Sequence, residues 1–193
     1  MQVEERPKQG SDTDSASVQR VEELIRVVLA QEGYAEAFAW LMQRHERSLL
    51  YYLRRFIPDA DKALDMHQEV WLAVFRGLPG LRIPQAFRGW LYRLAHDKAA
   101  RFIDEEIREA KAKESIEACG EPAPDLGETD AQAVHLALNT LSAPHREVLT
   151  LHYLHDLSLE EIAVACRLPV GTVKSRLHYA RLALRLRLEG REP

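Results

Sequence analysis

The chain has 193 residues, 46% hydrophobic and 29% charged, with a formal net charge of -4. That composition provides for a packed core under a solvated surface and is too apolar for a disordered chain. The modest total conceals a polarity along the sequence. Between Cys166 and Arg187 stand Arg167, Lys174, Arg176, Arg181, Arg185 and Arg187 with no carboxylate, whereas Asp104 to Asp130 carries ten carboxylates against three basic residues. A basic C-terminal segment thus follows an acidic middle.

Cys119 and Cys166 are far apart and lack CxxC or Cys/His ligand spacing. This argues against a disulfide framework and a zinc site, so no cofactor or metal is expected, and it fits a reducing cytosol. Residues 1–17 are polar, which excludes a signal peptide, and no later stretch approaches the ~20 apolar residues of a membrane span. A cytoplasmic protein without membrane insertion is expected.

Residues 1–17 lack periodicity and predict a disordered tail. Val21, Leu24, Ile25, Val28 and Leu29 begin a helical pattern that breaks near Gly33. Phe38, Leu41, Met42, His45, Leu49, Tyr52, Leu53 and Phe56 then keep to one helix face, closed by Pro58. Asp59 or Asp61 caps a third helix, with Ala63, His67, Val70, Trp71, Val74 and Phe75 as its buried face and Leu78-Pro79-Gly80 as its end. Pro84 opens a fourth, striped by Phe87, Trp90, Leu91 and Leu94 and running on through Phe102 and Ile103. Glu114 to Asp130, with Gly120, Pro122, Pro124 and Gly127, reads as a linker. Two further helices are predicted over 133–141 and 144–154. No segment has strand periodicity. The predicted fold class is all-α: two small helical domains, 18–112 and 132–193, joined by a flexible acidic linker at 113–131, the second domain a helix-turn-helix.

The most informative stretch runs from Ser158 to Arg181. Ser158 and Glu161 have capping-box spacing, each side chain able to serve the other's backbone amide. Ile162, Ala163 and Cys166 form the apolar side of that short helix, and small Ala163 permits a second helix to approach. Pro169 sits at the start of the next helix, where its missing N–H costs nothing. Val170, Val173, Leu177, Ala180 and Leu184 face inward there. Thr172, Lys174, Ser175, His178, Tyr179 and Arg181 are left for the outside. Hydroxyls, cations and an aromatic ring on one outer face suit major-groove readout. A basic amphipathic helix with a merely solvated face is the bland alternative. The capping box, short turn and acid-free run together favour DNA.

These residues resemble the extracytoplasmic-function group of bacterial RNA polymerase sigma factors. Leu141-Ser-Ala-Pro-His-Arg-Glu-Val-Leu149, Leu157-Ser-Leu-Glu-Glu-Ile-Ala163 and Pro169-Val-Gly-Thr-Val-Lys-Ser-Arg-Leu177 look like that family's region four, which binds the upstream, minus thirty-five promoter element as duplex. Ala63-Leu-Asp-Met-His-Gln-Glu-Val-Trp-Leu72 looks like region two. There the resemblance implies a polymerase-docking face at Asp65, Gln68 and Glu69, whose bland reading is a solvated surface. Phe87-Arg-Gly-Trp-Leu-Tyr-Arg-Leu-Ala-His-Asp97 looks like the promoter-opening segment, which precedes the helix that reads the minus ten element. It makes His96, Asp97, Lys98 and Arg101 the candidate contacts to the opened strand, with His96 and Asp97 standing where the family usually has Arg-Asn and Arg101 where it has an aspartate. Asp104 and Glu105 depart from the family's basic pair and place carboxylates where they repel a phosphate backbone.

The partners implied are core RNA polymerase, promoter DNA as upstream duplex and opened downstream strand, and an anti-sigma factor. No phosphate-cradling loop, nucleophile elbow or metal-ligand cluster occurs, so a non-enzyme is expected. Two competing readings are a stand-alone helix-turn-helix regulator, which needs no docking face, and a sigma-like interaction module with weak promoter recognition.

Overall fold

The computed structural model describes residues 11–112 and 136–188. Among these the chain is helical with no strand, as the periodicity predicts. The sequence-predicted linker at 113–131 lies outside the described residues.

Helix α1 spans Ser11–Gln31 and so begins inside the stretch expected to be a tail, of which residues 1–10 lie outside the described residues. Its inward edge is Glu23, Val27 and Ala30. Val21, Ile25 and Val28, expected to face the core, are exposed instead. The inward edge instead carries Glu23, whose carboxylate lies 3.3 Å from His45 Nε2 in the interior. Gly33, at φ +93°, ends the pattern: Tyr34 N–H donates to Leu29 C=O across it, a turn that favours glycine.

Helix α2 (Ala35–Arg54) buries Leu41, His45, Leu49, Tyr52 and Leu53, while Met42, counted in the predicted stripe, faces solvent. Asp59 caps α3 (Ala60–Gly77), accepting from the amides of Asp61 and Lys62. Ala63, His67, Val70, Trp71 and Val74 are buried as expected. Phe75 is not: it is 64% exposed and lies edge to face with Phe38, 5.4 Å between ring centres. The apolar stripe is wider than the face its neighbours cover. Two short 3-10 turns, Leu78–Gly80 and Pro84–Ala86, lead into α4 (Phe87–Ala112).

The C-terminal group begins with α5, described over 136–139, and α6 (Ala143–Leu149). The helix predicted over 144–154 is α6 followed by a π-helical turn, Thr150–Leu154, so its last carbonyls point elsewhere than a regular helix would place them. α7 (Leu159–Cys166) and α8 (Val170–Leu188) complete the chain. The two helical groups do not stand apart. Buried side chains from Val27 through Ala180 form one continuous cluster, and α7 lies directly on α4.

Candidate nucleic-acid and polymerase interfaces

The capping box at Ser158 forms as the sequence predicts. Its Oγ accepts from Glu161 N–H at 3.1 Å, and the Glu161 carboxylate accepts from Ser158 N–H at 2.7 Å. Arg167 then takes a left-handed conformation, φ +55°, and Leu168 N–H donates to Ala163 C=O, reversing the chain in a few residues. Pro169 precedes α8 and accepts from the Thr172 and Val173 amides. Ser158→Ala removes half of the box and is expected to cost about 1 kcal/mol, read as a lower denaturation midpoint.

On α8, Val173, Leu177 and Ala180 are buried, while Val170, expected inside, is the first residue of the helix and 41% exposed. Leu184 is half-buried. Lys174, Ser175, His178, Tyr179 and Arg181 are exposed along one side, and Thr172 and Arg176 are half-buried at its margins. The Ser175 hydroxyl donates to Thr172 C=O. His178 and Tyr179 lie edge to face. Arg176 contributes its charge beside the buried thiol of Cys166, whose pKa burial pushes up.

Asp65, Gln68 and Glu69 stand exposed on α3, on the side away from Val70 and Trp71. Exposed Leu64 and Leu72 flank them. Lys98 Nζ reaches Glu69 at 2.7 Å, so one polymerase-docking candidate and one promoter-opening candidate share an ion pair.

The promoter-opening candidates are placed differently from a free reading face. Arg101 is exposed, as are Asp104 and Glu105. His96 Nδ1 lies 2.7 Å from Glu147 Oε1 of α6, and that same oxygen accepts from Tyr52 Oη at 2.7 Å. The bond to Glu147 raises the His96 pKa above its ordinary value, with burial acting against it. Asp97 pairs with Arg167 at 2.5 Å.

Nearby, Arg88 donates to the backbone carbonyls of His155 and Asp156. The His155 ring is buried, stacks on Tyr92 at 5.0 Å and meets the edges of Tyr51 and Tyr52. Burial first, then the Arg88 charge, pull its pKa down to about 4. Sequence reasoning counted Tyr52 only in an apolar stripe and gave no role to Glu147, Gly89, Arg88 or His155. The one available signal was Glu147, a carboxylate beside Val148 on the inward side of its helix.

A helix-turn-helix with a cationic outer face, packed against a four-helix unit bearing an acidic exposed face, defines a DNA-binding protein with a second, protein-directed surface. Two family profiles match the chain: Sigma-70 region 2 over residues 41–109 and Sigma-70, region 4 over residues 131–184. The chain is 33% identical over 186 residues to the ECF RNA polymerase sigma-E factor of Escherichia coli K12, covering 89% of this chain and 92% of that one. It is 30% identical over 168 residues to the RNA polymerase sigma-H factor of Pseudomonas aeruginosa, covering 80% and 87%. Among solved structures, CnrH in complex with the cytosolic domain of CnrY superposes with TM-score 0.65 at 25% identity, over 89% of this chain and 99% of that one. The sigma factor RpoE of Bartonella quintana, solved with the anti-sigma factor NepR, shares the fold, with TM-score 0.69 at 24% identity over 80% and 98%. The chain belongs to the sigma-70 family as an ECF-type sigma factor, which directs promoter recognition.

Proposed function

We propose a division of labour for this sigma factor along the boundaries read from its sequence: 18–112 for polymerase binding and promoter opening, 113–131 as connector, 132–193 for duplex recognition. Asp65, Gln68 and Glu69 dock on core RNA polymerase. Thr172, Lys174, Ser175, His178 and Tyr179 enter the major groove of the upstream element, with Arg176 and Arg181 on its phosphates. His96, Asp97, Lys98 and Arg101 engage the opened strand. The protein works in the cytoplasm and is no enzyme; bond formation belongs to the polymerase. An anti-sigma factor is a further partner, a reading that the complex of RpoE with the anti-sigma factor NepR supports.

The observation that carries the reading is the division of α8, with Val173, Leu177 and Ala180 buried and the cationic, hydroxyl and aromatic residues all outside. That face suits base edges flanked by phosphates. Transcription from a promoter library by core polymerase, with and without the protein, tests it. Selective initiation is the expected result. Duplex binding without initiation would favour a stand-alone regulator, and polymerase binding without promoter selection an interaction module.

The docking face has its own test. Glu69→Lys reverses an exposed charge and is expected to weaken core association by less than about 1 kcal/mol if the contact stays solvated, and by more if it is desolvated. The free variant should stay folded, since Glu69 gives up only its pair with Lys98. Unchanged core affinity would remove this assignment.

A further inference from the structure

The geometry points to a binding site for a small aromatic phosphate monoester in the cleft between α1, α2, α4 and the segment 152–158. The site goes beyond promoter recognition and uses no residue of the DNA-directed or polymerase-directed faces. The cleft encloses about 750 Å³, a volume that suits a small ligand.

Its floor holds buried donors that lack acceptors. His155 is 5% exposed, and neither ring nitrogen meets a hydrogen-bond partner among the described residues. The Nε–H of Arg88 is likewise buried and unmet, although the end of that guanidinium donates to the His155 and Asp156 carbonyls. Leaving such groups unpaired in the interior is costly, so each calls for a partner. The wall that carries Arg88 is fixed by a close helix crossing. At the adjacent Gly89 an added Cβ would meet Glu161 C=O of α7 at 3.0 Å.

The lining also carries an excess of positive charge. Arg20, Arg44, Arg47 and Arg88 stand against two carboxylates, Glu23 and Asp156. Glu23 faces His45 Nε2 at 3.3 Å, and Arg44 donates to the neutral Gln19 Oε1 at 3.2 Å. A phosphate monoester brings nearly two negative charges at pH 7 and three acceptor oxygens, which several guanidiniums can share. Inorganic phosphate would answer the charge and leave most of the cleft unfilled. Tyr153 and Leu154, 53% and 43% exposed, line the remainder and offer an aromatic body a surface to lie on.

Calorimetric titration of the full-length chain tests the site, with adenosine monophosphate, phenyl phosphate, adenosine and inorganic phosphate as probes. The two monoesters are expected to bind roughly tenfold more tightly than adenosine or inorganic phosphate. Arg20→Gln and Arg47→Gln change exposed side chains and leave the fold intact. Each should weaken monoester binding about tenfold, as the loss of a charge-assisted hydrogen bond does. Arg82→Gln removes an exposed arginine outside the cleft and should change nothing. His155→Phe keeps a ring among the tyrosines, takes away the buried donor and should lose binding by a similar factor. Should that variant fail to fold, the two arginine variants decide.

Absence of binding by both monoesters at millimolar concentration would overturn the site. Adenosine binding as tightly as its monophosphate would show that the phosphoryl group goes unread, and inorganic phosphate doing so would remove the aromatic body. Equal losses in Arg82→Gln and Arg47→Gln would reduce the effect to diffuse attraction and sink the proposal. Displacement of the monoester by a mixed-sequence single-stranded oligonucleotide would make the cleft part of the nucleic-acid path, which also overturns it.

Discussion

Acidifying the free protein from pH 7 to pH 5 is expected to destabilise it by about 2 kcal/mol, lowering its thermal midpoint by roughly 4–8 °C, through His155 alone. The ring is buried among Tyr51, Tyr52 and Tyr92, with Arg88 and His45 adding positive charge, and its pKa falls from 6.5 to about 4. A histidine with a lowered native pKa stays neutral in the folded state, while the unfolded state takes up a proton below pH 6.5. Stability is therefore full above 6.5 and falls as pH drops toward 4. His96 has the opposite sign. Its raised pKa makes its bond to Glu147 fully effective below 6.5 and lost as pH rises through the raised value, so it offsets part of the acid loss. His155→Phe keeps a ring among the tyrosines and removes the titration. Its midpoint should fall less over the same range, the burial-lowered His67 keeping part of the acid loss. Parallel pH profiles for the two proteins would refute this account.

Replacing Lys174 or His178 by alanine is expected to alter preference among upstream promoter sequences, by about 1–3 kcal/mol at the affected base pairs if a direct contact is lost. Both side chains are exposed on the side opposite Val173 and Leu177. Arg181→Ala should instead weaken all sequences alike and flatten the salt dependence, as the loss of a phosphate contact does. Arg176 is half-buried beside Cys166, so its loss should also lower thermal stability. Binding across single-base promoter variants at two salt concentrations separates these roles. An even loss across every sequence for Lys174→Ala and His178→Ala would mean that α8 holds the backbone without reading bases.

The helix-turn-helix was legible in the sequence because its signals are local. The capping serine and its glutamate are three residues apart, and the buried side of α8 recurs at a helical period. Helix phase was less legible. In α1 and α3 the apolar stripes are broader than the neighbours that cover them, so Ile25 and Phe75 look like core and are not. Periodicity counts apolar residues and gives no weight to a buried carboxylate such as Glu23, which stands on the inward edge of α1 beside His45. The packing of one domain on the other was not legible at all. It runs through polar pairs 95 and 51 positions apart, Tyr52 with Glu147 and His96 with Glu147, and no local pattern encodes such a meeting.

Gly89 sets two demands on α4 against each other. Inside a helix, glycine is about 1 kcal/mol worse than alanine, so a change to alanine would stiffen α4 by itself. The added methyl would press on the Glu161 carbonyl and loosen the hold of α7. An effort to thermostabilise this chain by improving helix propensity would therefore find at residue 89 a substitution that strengthens one domain and frees it from the other. A melting curve alone would record only the sum.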